Sequence, residues 1–185
     1  MTVPTSNRDP DPPAPWPAVV VRLCLLRGSP ADLPHAPGLL AGLLALQLAI
    51  EALVAPRLGL PPPGLGMLVL GLAVALGSWW AVLAIAGRAP RLVQVGLGLV
   101  GTGLVFAPLA MPLLAIVRAV EPGATPTALQ GQAALGVMLL VGWKLAVNGR
   151  IWASALELPR FAGLGVALGV FAFGLLAGHW MRGGA

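Results

Sequence analysis

The sequence predicts an all-α, polytopic membrane protein, with five transmembrane helices preceded by an N-terminal interfacial helix and an N-in/C-out topology. Three observations predict it. Only 9% of the residues are charged and 58% are hydrophobic, against roughly 25% charged in soluble domains, so a water-facing surface could not be covered. Five long apolar runs recur along the chain, the central one, from Leu92 to Val117, uncharged between Arg91 and Arg118. As a helix rising ~1.5 Å per residue that run reaches about 39 Å, more than the ~30 Å hydrocarbon core of a bilayer. Finally, an N-terminus inside puts Arg8, Arg22, Arg27, Arg88, Arg91, Lys144, Arg150 and Arg160 on the cytoplasmic side and only Arg57, Arg118 and Arg182 opposite. That imbalance is what the positive-inside rule requires.

Residues 1–17 (MTVPTSNRDPDPPAPWP) carry six prolines and no apolar period, and read as a flexible tail. Residues 18–28 are an amphipathic stretch too short to span. Its arginines can snorkel to headgroups while its Val and Leu side chains face acyl chains, and Gly28 is the expected left-handed stop. Ser29-Pro30-Ala31-Asp32 is a helix start, with Ser as N-cap, Pro in the first turn and Asp completing a capping box. Pro34 and Pro37 limit it to one turn. Residues 29–185 then form the five-span bundle, with spans at about 38–54, 65–86, 92–117, 128–147 and 161–180. Gln47 and Glu51 are expected near the far end of the first span. Trp143 and Lys144 are expected to close the fourth. Residues 148–160 are expected to be the longest connection between spans.

Composition narrows the partners. A net charge of +5 and a pI near 11.4 could suggest nucleic acid, but the basic residues stand singly and without interleaved aromatics. Membrane lipids are the better partner. Trp16, Arg22, Arg27, Arg88, Arg91, Lys144, Arg150 and Arg160 are the expected anchors of the cytoplasmic face. Cys24 is the single cysteine, which rules out an internal disulfide and a multi-cysteine metal site.

Chemical motifs are sparse. Gly96-Leu97-Gly98-Leu99-Val100-Gly101 spells the dinucleotide fingerprint, yet it lies inside a hydrophobic helix without the strand and acid that the fingerprint requires. Gly96, Gly98 and Gly101, with Gly165, Gly169, Gly174 and Gly178 of the fifth span, read instead as positions of close helix approach. His35 and His179 fall at opposite membrane surfaces. They cannot ligate one metal together, and single-histidine ligation of a pigment or haem is the only cofactor alternative to none. Asp32, Glu51, Glu121 and Glu157 form no pair at one depth, so no catalytic dyad is suggested. Thr102 and Ser78 are the only polar groups expected at mid-depth. No span is expected to hold a charge at its centre, which argues against a pump or coupled transporter.

The Pro-rich tail, the interfacial segment and five closely spaced spans resemble the Yip (Ypt-interacting protein) superfamily, including its small proteobacterial members. The LRGSPADLP elbow before the first span looks like a segment of such proteins. The resemblance implies a five-helix membrane protein without catalysis, acting through membrane shaping or protein partners, and it carries over no site residues. The expected function is a non-enzymatic accessory or scaffold subunit of a larger assembly, energy-transducing ones included, in a bacterial plasma membrane. Bound lipid and other membrane subunits would be its partners. The alternative is a small-solute channel or transporter, which would need a polar lining at mid-depth.

Overall fold

The structure, a computed structural model, describes residues 14–57, 59, 64–119 and 125–181. Among these the chain is helical with turns and no strand: α1 (Trp16–Cys24), α2 (Pro37–Arg57), α3 (Leu65–Ile85), α4 (Leu92–Arg118), α5 (Ala128–Leu156) and α6 (Arg160–Met181), with 3₁₀ turns at Pro30–Asp32 and Ala89–Arg91. Helices α2 to α6 are long and apolar enough to cross a membrane. The expectations for residues 1–13, for the prolines at 61–63 and for the Glu121 loop lie outside the described residues.

Local chemistry sets the helix ends. α1 begins at Trp16 and closes on a left-handed residue, which is Leu26 (φ 58°) rather than Gly28 alone; Gly28 (φ 80°) follows as a second such position. The Arg27 amide then reaches back to the Arg22 carbonyl at 2.7 Å, the wide bond of a helix-terminating turn. At the elbow, Ser29 Oγ accepts from the Ala31 amide at 3.2 Å and Asp32 Oδ2 accepts from the Ser29 amide at 3.0 Å. α5 starts with a second capping box: Thr127 Oγ1 accepts from the Gln130 amide at 3.3 Å, and Gln130 Oε1 accepts from the Thr127 amide at 2.7 Å. Pro108 and Pro112 lie inside α4 without ending it.

Two helix boundaries depart from expectation. α5 continues through Asn148 and Gly149 to Leu156, so the connection to α6 is a tight turn at Glu157–Pro159 instead of a long loop. An Asn-Gly pair ordinarily signals a turn. Here the missing Cβ serves helix packing: one built at Gly149 would lie 2.9 Å from the Leu164 Cα, and one at Gly163 would lie 2.3 Å from the Gly149 carbonyl oxygen. Backbones touch at this point, which makes α5–α6 the closest helix pair. α2 likewise runs on to Arg57, which moves Gln47 to its middle.

Burial is uneven along the bundle. At one end α1 lies on α4 and α5, with Val19, Val20, Leu23 and Cys24 buried in protein instead of all facing acyl chains. The buried residues of the long helices gather there too: Leu40 and Leu43 early in α2, Leu83 late in α3, Val95 to Gly103 in α4, Val147, Gly149, Ile151 to Ala153 and Ala155 in α5, and Gly163 and Ala167 in α6. Toward the other end only Phe106 of α4 and Ala133 of α5 are buried. α3 buries Leu83 alone.

Candidate functional site

Because the five long helices separate beyond this packed end, they enclose a chamber of about 660 Å³ with walls from every one of them. Its size falls within the ~300–1,000 Å³ typical of small-ligand sites. Most of the lining is apolar, including Trp79, Phe106 and Phe171, but five polar side chains enter it: Gln47 and Glu51 from α2, Ser78 from α3, and Lys144 and Asn148 from α5.

Helical spacing explains the convergence. Gln47 and Glu51 stand four residues apart, as do Lys144 and Asn148, so each pair shares one helix face. Gln47 Nε2 donates to Glu51 Oε1 at 3.1 Å. Across from them, a methyl group on Gly103 of α4 would lie 3.5 Å from Gln47 Oε1 and 3.7 Å from Lys144 Nζ. Glycine there leaves room for an amide oxygen and an ammonium group to approach the same spot. Glu51 lines the same chamber as Lys144, yet among the described residues Lys144 makes no ion pair within 4 Å and no hydrogen bond. Asn148 Oδ1 is buried without a hydrogen-bond partner. The Ser78 hydroxyl donates to the Ala75 carbonyl at 2.7 Å, keeping acceptor capacity on the chamber side.

These placements correct the sequence reading. Lys144 does not close its helix: it sits near the midpoint of α5, beside Gln47 at the midpoint of α2. A charge therefore lies near the middle of a helix long and apolar enough to cross a membrane. Thr102, one of the two polar groups expected at mid-depth, is fully buried with its hydroxyl turned back to the Gly98 and Leu99 carbonyls at 2.8 and 3.2 Å; Ser78 does line the chamber.

The remaining expected residues divide. Gly96 faces Leu40, Gly98 faces Ile151 and Leu23, and Gly101 faces Val20, with Cβ distances of 3.1, 3.4 and 2.9 Å to the nearest atoms. Gly165, Gly169 and Gly174 would meet nothing within 4 Å, and Gly178 is half-buried near the end of α6. Of the fifth-span glycines it is Gly163, also expected at a close contact, that meets a neighbouring helix, against Gly149 of α5. Trp16 and Arg150 are half-buried, and Arg22, Arg27 and Arg160 are exposed. His35 and His179 are exposed near the start of α2 and the end of α6. No group of three or more metal-ligating side chains occurs among the described residues.

Arg88 and Arg91 close the packed end, where both reach Glu157 in the α5–α6 turn. Arg91 Nη2 donates to Glu157 Oε1 at 2.8 Å, and Nη1 donates to the Ala155 carbonyl at 2.8 Å. The hydrogen bond from Arg91, with the positive charge of both arginines, holds the Glu157 carboxyl below its ordinary range against a smaller opposing effect of desolvation. Glu157 also takes a left-handed backbone conformation (φ 58°) to end α5. Ser29 and Ser154 share a hydrogen bond of 2.7 Å, and Gln94 Nε2 donates to the Leu33 carbonyl at 3.1 Å. Trp143 Nε1 donates to the Cys24 carbonyl at 2.9 Å while its ring meets Phe106 edge-on. Burial raises the Cys24 thiol above its ordinary value, a setting that favours packing over reactivity.

No family model matches the chain, and no curated protein or solved structure matches it.

Proposed function

We propose that the protein is a small-solute carrier of the membrane, with the chamber as its binding site and no catalytic role. The observation that carries this reading is Lys144, an ammonium near the middle of a span with no protein hydrogen bond, opening into a cavity of ligand size. A lysine at the centre of a membrane helix costs about 2.5–3.5 kcal/mol on insertion scales. Such residues are retained where they meet a substrate, an ion or a partner charge. The mid-depth polar lining that a transporter needs is supplied by Gln47, Ser78, Lys144 and Asn148.

In this reading α1 and the Arg88/Arg91/Glu157 cluster face the cytoplasm of a bacterial cell, α1 lies at the interface, and the chamber opens toward the opposite side. Support comes from the basic residues gathered at the α1 end. Reporter fusions at residue 89 should score cytoplasmic and fusions at residue 124 external. Purified protein in proteoliposomes should exchange labelled small organic solutes, drawn from anions, cations and zwitterions, and Lys144→Met should abolish exchange. Equal flux in protein-free liposomes would remove the reading.

An accessory-subunit role, as the Yip resemblance implies, is favoured by one observation: a Cβ at Gly165 or Gly169 of α6 would meet nothing within 4 Å among the described residues, with the exposed Leu168 beside them. Native purification in mild detergent separates the two roles, because an obligate subunit brings partners at fixed stoichiometry and a carrier works alone.

A further inference from the structure

The carrier reading leaves the chemical class of its solute open, and the chamber's unspent polar groups narrow it. Lys144 offers hydrogen-bond donors and a positive charge with no bonded partner. Glu51 supplies the balancing negative charge, with one carboxylate oxygen engaged by Gln47 and the other without a partner among the described residues. The site thus asks for an anionic group at Lys144, a cationic donor at Glu51 and no net charge.

A plain organic anion satisfies Lys144 but meets Glu51 as a like charge. A plain cation satisfies Glu51 but opposes Lys144. We propose that the solute is a small apolar zwitterion, an α-amino acid with a hydrocarbon side chain. Its carboxylate sits at Lys144, its ammonium sits at Glu51, and its side chain lies against Trp79 and Phe106. The carboxylate and amino group of an α-amino acid are borne on one carbon, so one small solute presents both charges to a chamber lined by their two counterparts. A site with charged groups of both signs discriminates strongly against analogues that lack one of them, because the abandoned group stays unpaired.

The proposal rests on the carrier reading and is tested with the full chain in nanodiscs. Binding is measured for L-leucine, for 4-methylpentanoate (the same skeleton without the amino group) and for 3-methylbutylamine (without the carboxylate). Leucine should bind more tightly than either fragment by about tenfold or more. Glu51→Gln should erase the preference for leucine over 4-methylpentanoate while leaving 4-methylpentanoate binding in place. Lys144→Met should lose leucine and 4-methylpentanoate together. The wild-type comparison needs no variant to fold. If 4-methylpentanoate or 3-methylbutylamine binds as tightly as leucine, the zwitterion assignment is overturned while the carrier reading stands. If none of the three binds, the assignment is overturned, and the proteoliposome panel of other solutes decides the carrier reading separately.

Discussion

The two ends of the bundle are built from the same helices yet packed in opposite ways. At the α1 end nine consecutive residues of α4, Val95 to Gly103, are buried, and two glycines bring α5 and α6 into backbone contact. Toward the other end the same helices expose Leu109, Leu139, Phe173 and Leu176 and stand apart around the chamber. Side-chain size drives the difference. Glycine and alanine where helices cross let backbones approach, and dispersion and weak Cα–H contacts accumulate. The bulky Leu and Phe side chains of the far half point outward, where lipid solvates them as well as protein would. The packed end gives the fold its stability, and the open end leaves room for a ligand.

That contrast can be broken by substitution. Trp152 is 1% exposed in the packed end, and Trp152→Ala should cost about 3–5 kcal/mol of unfolding free energy in detergent, whereas Phe173→Ala in the open half should cost less than ~1 kcal/mol. Comparable losses at the two sites would erase the distinction. Next in size, Gly163→Ala should cost about 1–3 kcal/mol by forcing α5 and α6 apart, while Gly169→Ala, with open space around it, should stabilise α6 by about 0.5–1 kcal/mol through helix propensity. Opposite signs in a pair of melting curves are the expected result.

A smaller gain is expected at Leu26, whose φ of 58° burdens a branched side chain. Leu26→Gly should raise stability by up to about 1 kcal/mol, and a loss would mean that its side chain matters more than its backbone.

The smallest effect concerns Glu157. Because its folded carboxyl is held below the ordinary range, its contribution is fully present above the unfolded value near ~4.3 and is lost as pH falls through the folded value. Glu157→Gln should therefore melt slightly below wild type at neutral pH, and the two curves should converge in acid. A gap independent of pH would assign the effect to something other than charge.

Much of this architecture was legible in the chain. Hydropathy placed all five long helices, and the Ser29–Asp32 elbow follows from its capping residues. Illegible were the features that depend on two helices meeting. Residues 148–160 read as a long connection because nothing local reveals that Gly149 and Gly163 would press together. Ending α5 there pushed Lys144 to the membrane surface on paper, and ending α2 at Val54 did the same for Gln47 and Glu51. Each polar residue seemed able to reach water alone. Their convergence needs the tertiary fact that α2, α4 and α5 pass one another at Gly103. Thr102 failed for the reverse reason, since a hydroxyl in an apolar helix can satisfy itself on the preceding turn.

The contact between Gly149 and Gly163 has a mechanical consequence. It fixes α6 at a fulcrum close to one end, and the rest of that helix projects from it as a long arm. From Gly163 to Met181 the arm measures about 27 Å at ~1.5 Å per residue, so a tilt of about 10° sweeps its tip by about 5 Å, close to a full helical pitch. α3, which the arm passes, is held with a single buried side chain and offers little resistance to that sweep. A single methyl group added at Gly163 would displace the start of that arm, and with it the chamber wall that α6 supplies.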